Sequence, residues 1–360
     1  MHWLENKLIL EKSCSQCQTT QLQVLHYTIF VYFTFNYALI MFGDAIIQPE
    51  LLDSQAQKQQ NARQILSVKE LSILNARSNT TGLVYLTIHL AIIGCSGYIW
   101  GTNWGNWLVA IPALVIYGFS IAAMFAPMHE AVHRTAFANN RLNDIVGWFA
   151  GLLSYYNSTY FRYFHKWHHL YTRIPGKDPE LTEMTPKNWA EYLLVISGLP
   201  WWYGHITGHF RVAFGLLDDC PFIPLSARAQ VIRSTRLHLG VYAGAIAISL
   251  IFGQPWFFLY WLLPLMVGQP ILRFILLAEH TGCTLDNNIT TNTRTTLTLL
   301  PVRFWMWNMP FHAEHHLYPS IPFHALPKAH QQLNSYFTHV DPGYIKVNRD
   351  IIGKLGQLEP

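Results

Sequence analysis

The chain has 360 residues, enough for one large domain or two small ones. It is 51% hydrophobic and only 12% charged, where an ordinary soluble domain carries about a quarter charged residues. A net charge of +4 without any Lys/Arg-rich run argues against nucleic acid as a partner, and 13 Trp with 18 Tyr suit rings parked at membrane interfaces.

Residues 1–70 read as an N-terminal extension. Cys14 and Cys17 form a CxxC with no second pair and no strand–helix context, so two free thiols are expected. Cys95, Cys220 and Cys283 are isolated, and an odd total without framework spacing suggests a reducing compartment for the polar parts. Segment 24–47 is apolar enough to span a bilayer but contains Asn36 and Asp44. No small-residue cleavage site follows it, so an extra N-terminal membrane helix is expected, with a surface helix as the alternative.

A spanning helix needs about 20 apolar residues. Four stretches qualify: 81–101, 107–128, 237–253 and 256–278. The short links within each pair carry no Lys or Arg, whereas eleven basic residues lie between Arg134 and Arg236. By the positive-inside rule this middle region is cytoplasmic. Segment 145–156 is too short to cross and reads as interfacial or re-entrant. The expected fold is an all-α integral membrane protein: two transmembrane hairpins, four spans, and a cytoplasmic helical cap carrying histidine clusters. The domain would run over 71–335, with 336–360 as a C-terminal tail.

Histidine carries the chemical signal. His129 and His133 lie in HEAVH, His165, His168 and His169 in HKWHH, His280 in LLAEH, and His312, His315 and His316 in HAEHH. These nine are half of the 18 histidines, and the topology puts all of them on one face of the membrane. Imidazole binds zinc, copper, iron and nickel. Nine are too many for one tetrahedral zinc and enough for two metals. On a helix the first member of an HxxHH aligns with both others, while the adjacent pair diverges by about 100°. One cluster can thus feed two neighbouring metals, as a dinuclear centre requires.

Glu130, Glu279 and Glu314 adjoin these histidines, and Asp178 and Glu180 follow HKWHH. Each can orient an imidazole by accepting its outer N–H, or serve only solvation and capping. His205 and His209, in GHITGH, share the i,i+4 spacing but have no third member and read as structural. Two other classes compete. HEAVH is literally the zinc-protease signature with Glu130 as base, but seven further histidines would be surplus and Arg134 would place a cation beside the metal. A metal transporter would need ionisable residues along a path at mid-span. The spans show almost none, His89 being the exception.

The strings HEAVHRTAF, FRYFHKWHHLYTRIPGKDPEL, LLAEHTG and WNMPFHAEHHLYPSIPFHALP resemble, in order and membrane context, the membrane fatty acid desaturase/hydroxylase superfamily. The resemblance runs from about Leu71 to about Gln332 and is strongest to bacterial acyl desaturases. It implies a non-haem diiron centre, two iron ions held by the nine histidines and using O2 as co-substrate. The implied reaction is desaturation of a fatty acyl chain carried on lipid, coenzyme A or acyl carrier protein, with hydroxylation or alkyne formation as relatives. In some members an Asn four residues before the histidine matching His280 holds a metal through water. That position is Leu276 here, and Asn308, before HAEHH, is the only nearby amide considered in its place. Trp148, Tyr155, Tyr156, Trp167 and Phe311 are candidates for lining an apolar acyl channel, or for plain core packing. No flavin, haem or iron–sulfur motif is present, so an external donor such as a ferredoxin or a b-type cytochrome is expected at the cytoplasmic face. The basic residues there suit an acidic carrier or anionic membrane lipids.

Overall fold

The fold is described by a computed structural model for residues 65–358. The Cys14/Cys17 pair and segment 24–47 lie outside the described residues. Ser67 opens the first helix, α1 (Val68–Leu74), with a capping box in which its hydroxyl and the Glu70 carboxylate satisfy each other's backbone N–H. Ser78 caps α2 (Asn79–Thr102) through the N–H of Thr81.

Among the described residues, four helices are long and apolar enough to cross a membrane: Asn79–Thr102, Trp107–Val132, Leu225–Ile251 and Phe258–Leu276. They contain or overlap the four expected stretches, and the third is extended N-terminally through Arg228, Arg233 and Arg236. Their outer faces expose apolar side chains, among them Leu83, Ile88, Leu108, Ile246 and Ile251, which is the surface hydrocarbon would cover. The second crossing is built from α3 (Trp107–Ala122) and α4 (Phe125–Val132), broken at Ala123 and Met124. A π-helical turn, Phe258–Leu262, leads into α10 (Leu263–Leu276), where Pro264 and Pro270 sit; such turns and prolines bend a helix.

The second span packs along both the first and the fourth. His89 of the first bonds the Ser120 carbonyl of the second at 2.9 Å, and Tyr117 of the second donates to the Tyr260 carbonyl of the fourth at 2.7 Å. The closest approach is glycine on glycine. A Cβ on Gly268 would lie 2.0 Å from the Gly118 carbonyl oxygen, and one on Gly118 would lie 2.2 Å from that of Pro264. Lipid gives no hydrophobic drive for helices to associate, so close backbone contact through small residues does that work. The fourth span also buries Gln269 and Arg273, two polar residues that the apolar pattern of 256–278 conceals.

Between the second and third spans lie α5 (Asn140–Ser154), α6 (Ser158–Tyr171), α7 (Trp189–Ile196) and α8 (Leu199–Ala213). The third span itself is α9 (Leu225–Ile251). Segment 145–156 falls in α5, which is not among the four candidate spans.

The expectation of an all-helical chain needs one correction. After α11 (Ile289–Asn292), β1 (Arg294–Leu297) pairs in parallel with β2 (His339–Pro342), with Arg294 opposite His339 and Leu297 opposite Pro342. Arg294 explains the pairing. It is buried, reaches Asp341 of the partner strand at 3.1 Å, and donates to the carbonyls of Ala278 and Thr281. The strand thereby clamps the exit of the fourth span. Between the strands run α12 (Leu300–Trp305), α13 (His312–Leu317) and α14 (Leu326–Leu333). Beyond position 335 the chain stays fastened to the domain: α15 (Tyr344–Gly353) places Asn348 against the Tyr192 hydroxyl at 3.0 Å and the Phe274 carbonyl at 3.0 Å.

Gly268→Val should therefore separate the second and fourth spans. It is expected to destabilise by more than the about 1–3 kcal/mol typical of over-packing, because the clash is with backbone. Gly94→Ala and Gly244→Ala, whose added Cβ would meet nothing within 4 Å, should melt like the parent in detergent. Equal melting of all three would show that the glycine crossing is not required.

Candidate metal centre

Each histidine cluster sits on a short, well-anchored element. His129 is in the last turn of α4 and His133 is its C-cap. HKWHH lies on α6, whose N-cap Asn157 accepts from Thr159 and Tyr160 and donates to Thr235 of the third span at 2.7 Å. HAEHH forms α13. This helix is held from outside by β1: Thr295 donates to the Glu314 carboxylate and accepts from the Ala313 N–H. His280 follows the fourth span, and its neighbour Glu279 accepts from the Arg294 N–H through its carbonyl at 2.9 Å.

The nine histidines converge in two neighbouring groups. His129, His133, His165, His169 and His315 offer ring nitrogens all within 4.8 Å of one another. His168, His280 and His316 form the second group on the same measure, and His312 joins it with Nε2 contacts of 3.1 Å to both His280 and His316. The adjacent pairs divide: His168 and His316 go to one group, His169 and His315 to the other. The groups touch through the stacked rings of His169 and His316, whose centroids are 4.2 Å apart.

Nε2 of His169 lies 3.0 Å from Nε2 of His165 and 3.1 Å from Nε2 of His315. Nε2 of His312 is in the same position between His280 and His316. An imidazole nitrogen carries either one hydrogen or one in-plane lone pair, so it cannot satisfy two such neighbours. Eight more nitrogens are buried with no hydrogen-bond partner: both of His129, the Nε2 of His133 and His168, and the Nδ1 of His165, His169, His312 and His315. Convergent, unsatisfied nitrogen lone pairs are what a cation needs, so both groups fit a metal ion by their donor chemistry.

The comparisons with known proteins bear on what such a centre does. The family model described as Fatty acid desaturase matches residues 105–348. The chain belongs to the fatty acid desaturase family. It is similar to a dihydrorhizobitoxine desaturase of Bradyrhizobium elkanii, 27% identical over 298 residues, covering 78% of this chain and 81% of that one. An sn-1 oleoyl-lipid 12-desaturase of a Picosynechococcus strain is 24% identical over 287 residues, 74% of this chain and 79% of its own. A Delta(5) fatty acid desaturase of Caenorhabditis elegans is 25% identical over 249 residues, 60% of this chain and 55% of its own. The protein is an oxidoreductase, and its four apolar helices make it a membrane protein of desaturase type.

In this desaturase the outer ring nitrogens are partly tied down. His168 donates Nδ1–H to Asp178 at 2.8 Å, His280 to the Asn292 carbonyl at 3.1 Å and His316 to the Thr172 hydroxyl at 3.2 Å. These bonds fix the tautomer and leave Nε2 facing inward. Burial, reinforced by neighbouring imidazoles, pushes His133 and His280 down to about 3. The same causes hold His165, His169, His312, His315 and His316 well below the usual histidine range. They are therefore neutral at physiological pH, the form in which imidazole can bind a metal. His168 departs from this pattern. Burial opposes its charge, but Glu180 and Asp178 outweigh burial and raise it to about 9.

Of the carboxylates beside the boxes, Asp178 orients His168. Glu130 divides its oxygens: Oε2 accepts from Thr135 at 2.8 Å and from the Phe323 N–H at 3.2 Å, while Oε1 is buried without a hydrogen-bond partner, 3.8 Å from Nδ1 of His129. The zinc-protease signature would have this carboxylate act on water, and its Oε2 is already held by these two donors. Glu314 is taken by His330 and Thr295. Glu180 and Glu279 face the four-histidine group. Asn308 binds Arg303 at 3.2 Å and Leu276 has no donor atom, so neither supplies an amide to the centre.

His205 and His209 bond the carbonyls of Trp201 and His205 one turn back. They belong to an aromatic cluster with Tyr155, Tyr156 and Trp201. Sequence reasoning passed over Gln269, which is fully buried with neither amide atom bonded. Its polarity inside an apolar run was the available signal. It also passed over Arg273, which donates to the Tyr156 hydroxyl at 2.7 Å.

Asp178→Ala should weaken metal binding about 10–100-fold, the usual cost of losing an orienting partner. A chelator competition on purified protein reads this directly. His205→Ala, by contrast, should keep parental metal content, and metal loss in that variant would place GHITGH in the centre after all.

Proposed function

We propose that the chain is an O2-dependent fatty acyl desaturase whose nine histidines hold two iron ions, five imidazoles at one position and four at the other. The observation that supports this most strongly is the pair of crossing nitrogens, Nε2 of His169 and of His312, each between two further imidazoles. In this reading the net reaction removes two hydrogens from neighbouring carbons of the acyl chain. With two electrons and two protons from a donor, O2 leaves as two waters. Bound iron supplies the oxidising power. The protein's residues supply rigid ligand placement, through Asp178, Asn292 and Thr172, and a dry aromatic floor. That floor is Phe125, Tyr156 and Phe161, packed against His129 and His165; it offers apolar surface for a hydrocarbon chain.

The four spans are assigned to two hairpins, with the histidine-bearing elements as a cap on the cytoplasmic side, following the basic residues between Arg134 and Arg236. The domain is assigned to 71–335, flanked by the extension 1–70 and the tail 336–360. The three relatives are all desaturases and differ in substrate, which favours desaturation as the reaction here. The carrier of the acyl chain is lipid, coenzyme A or acyl carrier protein. Electrons are assigned to a separate ferredoxin or b-type cytochrome. Several basic residues of the proposed docking side are already paired, Arg162 with Asp144, Arg211 with Asp219 and Arg228 with Asp218.

Elemental analysis of protein purified from iron-replete cells should find about two irons per chain, and lipid profiles of expressing cells should gain an unsaturated product. His168→Ala and His315→Ala should abolish that product while the protein remains in the membrane. Unchanged product in either variant would sink the diiron reading, and one zinc with negligible iron would withdraw the desaturase assignment unless iron restored oxidation.

A further inference from the structure

The two metal positions are unequal. The five-histidine group is lined by rings, Phe125 and Phe161 packing on His129 and His165, and the carboxylate oxygens that approach it, Oε1 of Glu130 and of Glu180, lie 3.8 and 3.7 Å from Nδ1 of His129 and of His165. The four-histidine group has carboxylates at its inner face. Glu279 Oε2 lies 3.5 Å from Nε2 of His312, the nitrogen that also faces His280 and His316. Its other oxygen is buried with no hydrogen-bond partner. Glu180 Oε2 lies 3.4 Å from Nε2 of His168, whose opposite nitrogen is already committed to Asp178. Glu180 also forms a metal-competent group with His165 and His168.

Building on the diiron reading, we propose that the four-histidine position is a mixed site in which Glu180 and Glu279 are oxygen ligands, while the five-histidine position is bound by nitrogen alone. Spacing supports this. Donor atoms about 2.0–2.2 Å from one ion and at right angles to each other lie about 3 Å apart. The inner nitrogens are already at 3.0–3.1 Å, and the Glu279 and Glu180 oxygens lie 3.5 and 3.4 Å from Nε2 of His312 and of His168.

Charge supports it too. Nine neutral imidazoles leave two divalent cations uncompensated in a buried site, and buried charge is costly unless paired. Two carboxylates at one position offset that charge and make it the harder, more oxygen-rich site, which suits iron.

The test uses the metal-free full chain in detergent with Fe(II) added anaerobically. The parent should take up about two ions and show two ferrous Mössbauer signals with different parameters. Glu180→Gln combined with Glu279→Gln should bind one ion normally and the other about ten-fold or more weakly, with only one of the two signals changed. Metal-free, the double variant should melt at or above the parent, since two facing carboxylates are gone, while its upward shift on adding iron should shrink. A single signal in the parent would overturn the mixed-site assignment without any variant. So would a double variant with parental affinity for both ions, or one in which both signals change alike. A parent that binds no iron would instead defeat the diiron reading on which this rests.

Discussion

Buried imidazoles that point their lone pairs at each other need a cation. Nε2 of His169 and of His312 each face two other Nε2 atoms at about 3 Å, and no proton arrangement satisfies both contacts. Much of the architecture can be understood as holding that unfavourable cluster in place. Asp178, Asn292 and Thr172 lock three outer nitrogens, and α4, α6 and α13 carry the remaining histidines to them.

The supports come from distant parts of the chain. Asn157 ties α6 to the third span. Arg294 clamps the exit of the fourth span, and Thr295 holds α13 by Glu314. The β1–β2 pairing thus anchors both His280 and the third histidine cluster. Below them, Gly118 and Gly268 let the second and fourth spans approach backbone to backbone, which sets the separation of His129 from His280. A centre assembled from four separate segments depends on such rigid elements, because misplacing one ligand loosens all the others.

Electrostatics divides the cluster. Around the five-histidine group the environment is aromatic and the imidazoles are held neutral by burial. Beside the four-histidine group, Glu180 and Asp178 outweigh the burial of His168 and favour its charged form. The two positions share the adjacent pairs His168/His169 and His315/His316 yet differ in the charge they present, which is a basis for two metals with unequal roles.

Much was legible in the sequence. The four apolar runs marked the spans, because about 20 apolar residues suit a bilayer's thickness. The HxxHH spacing implied that adjacent histidines diverge into two groups, because the helical period separates neighbours by about 100°. What the sequence left open was decided by contacts between residues far apart in the chain. Glu130, Glu279 and Glu314 all adjoin a clustered histidine, yet Thr135 and Phe323 hold one oxygen of the first, His330 and Thr295 take the third, and Glu279 comes within 3.5 Å of Nε2 of His312. Gln269 and Arg273 hid inside an apolar run, and β1 and β2 were invisible because strands of 4 residues each carry almost no periodic signal. Periodicity and composition are local, so the sequence determined the spans and the histidine faces. Which carboxylate turns inward, and which polar group is left without a partner, are properties of packing and belong to the tertiary structure alone.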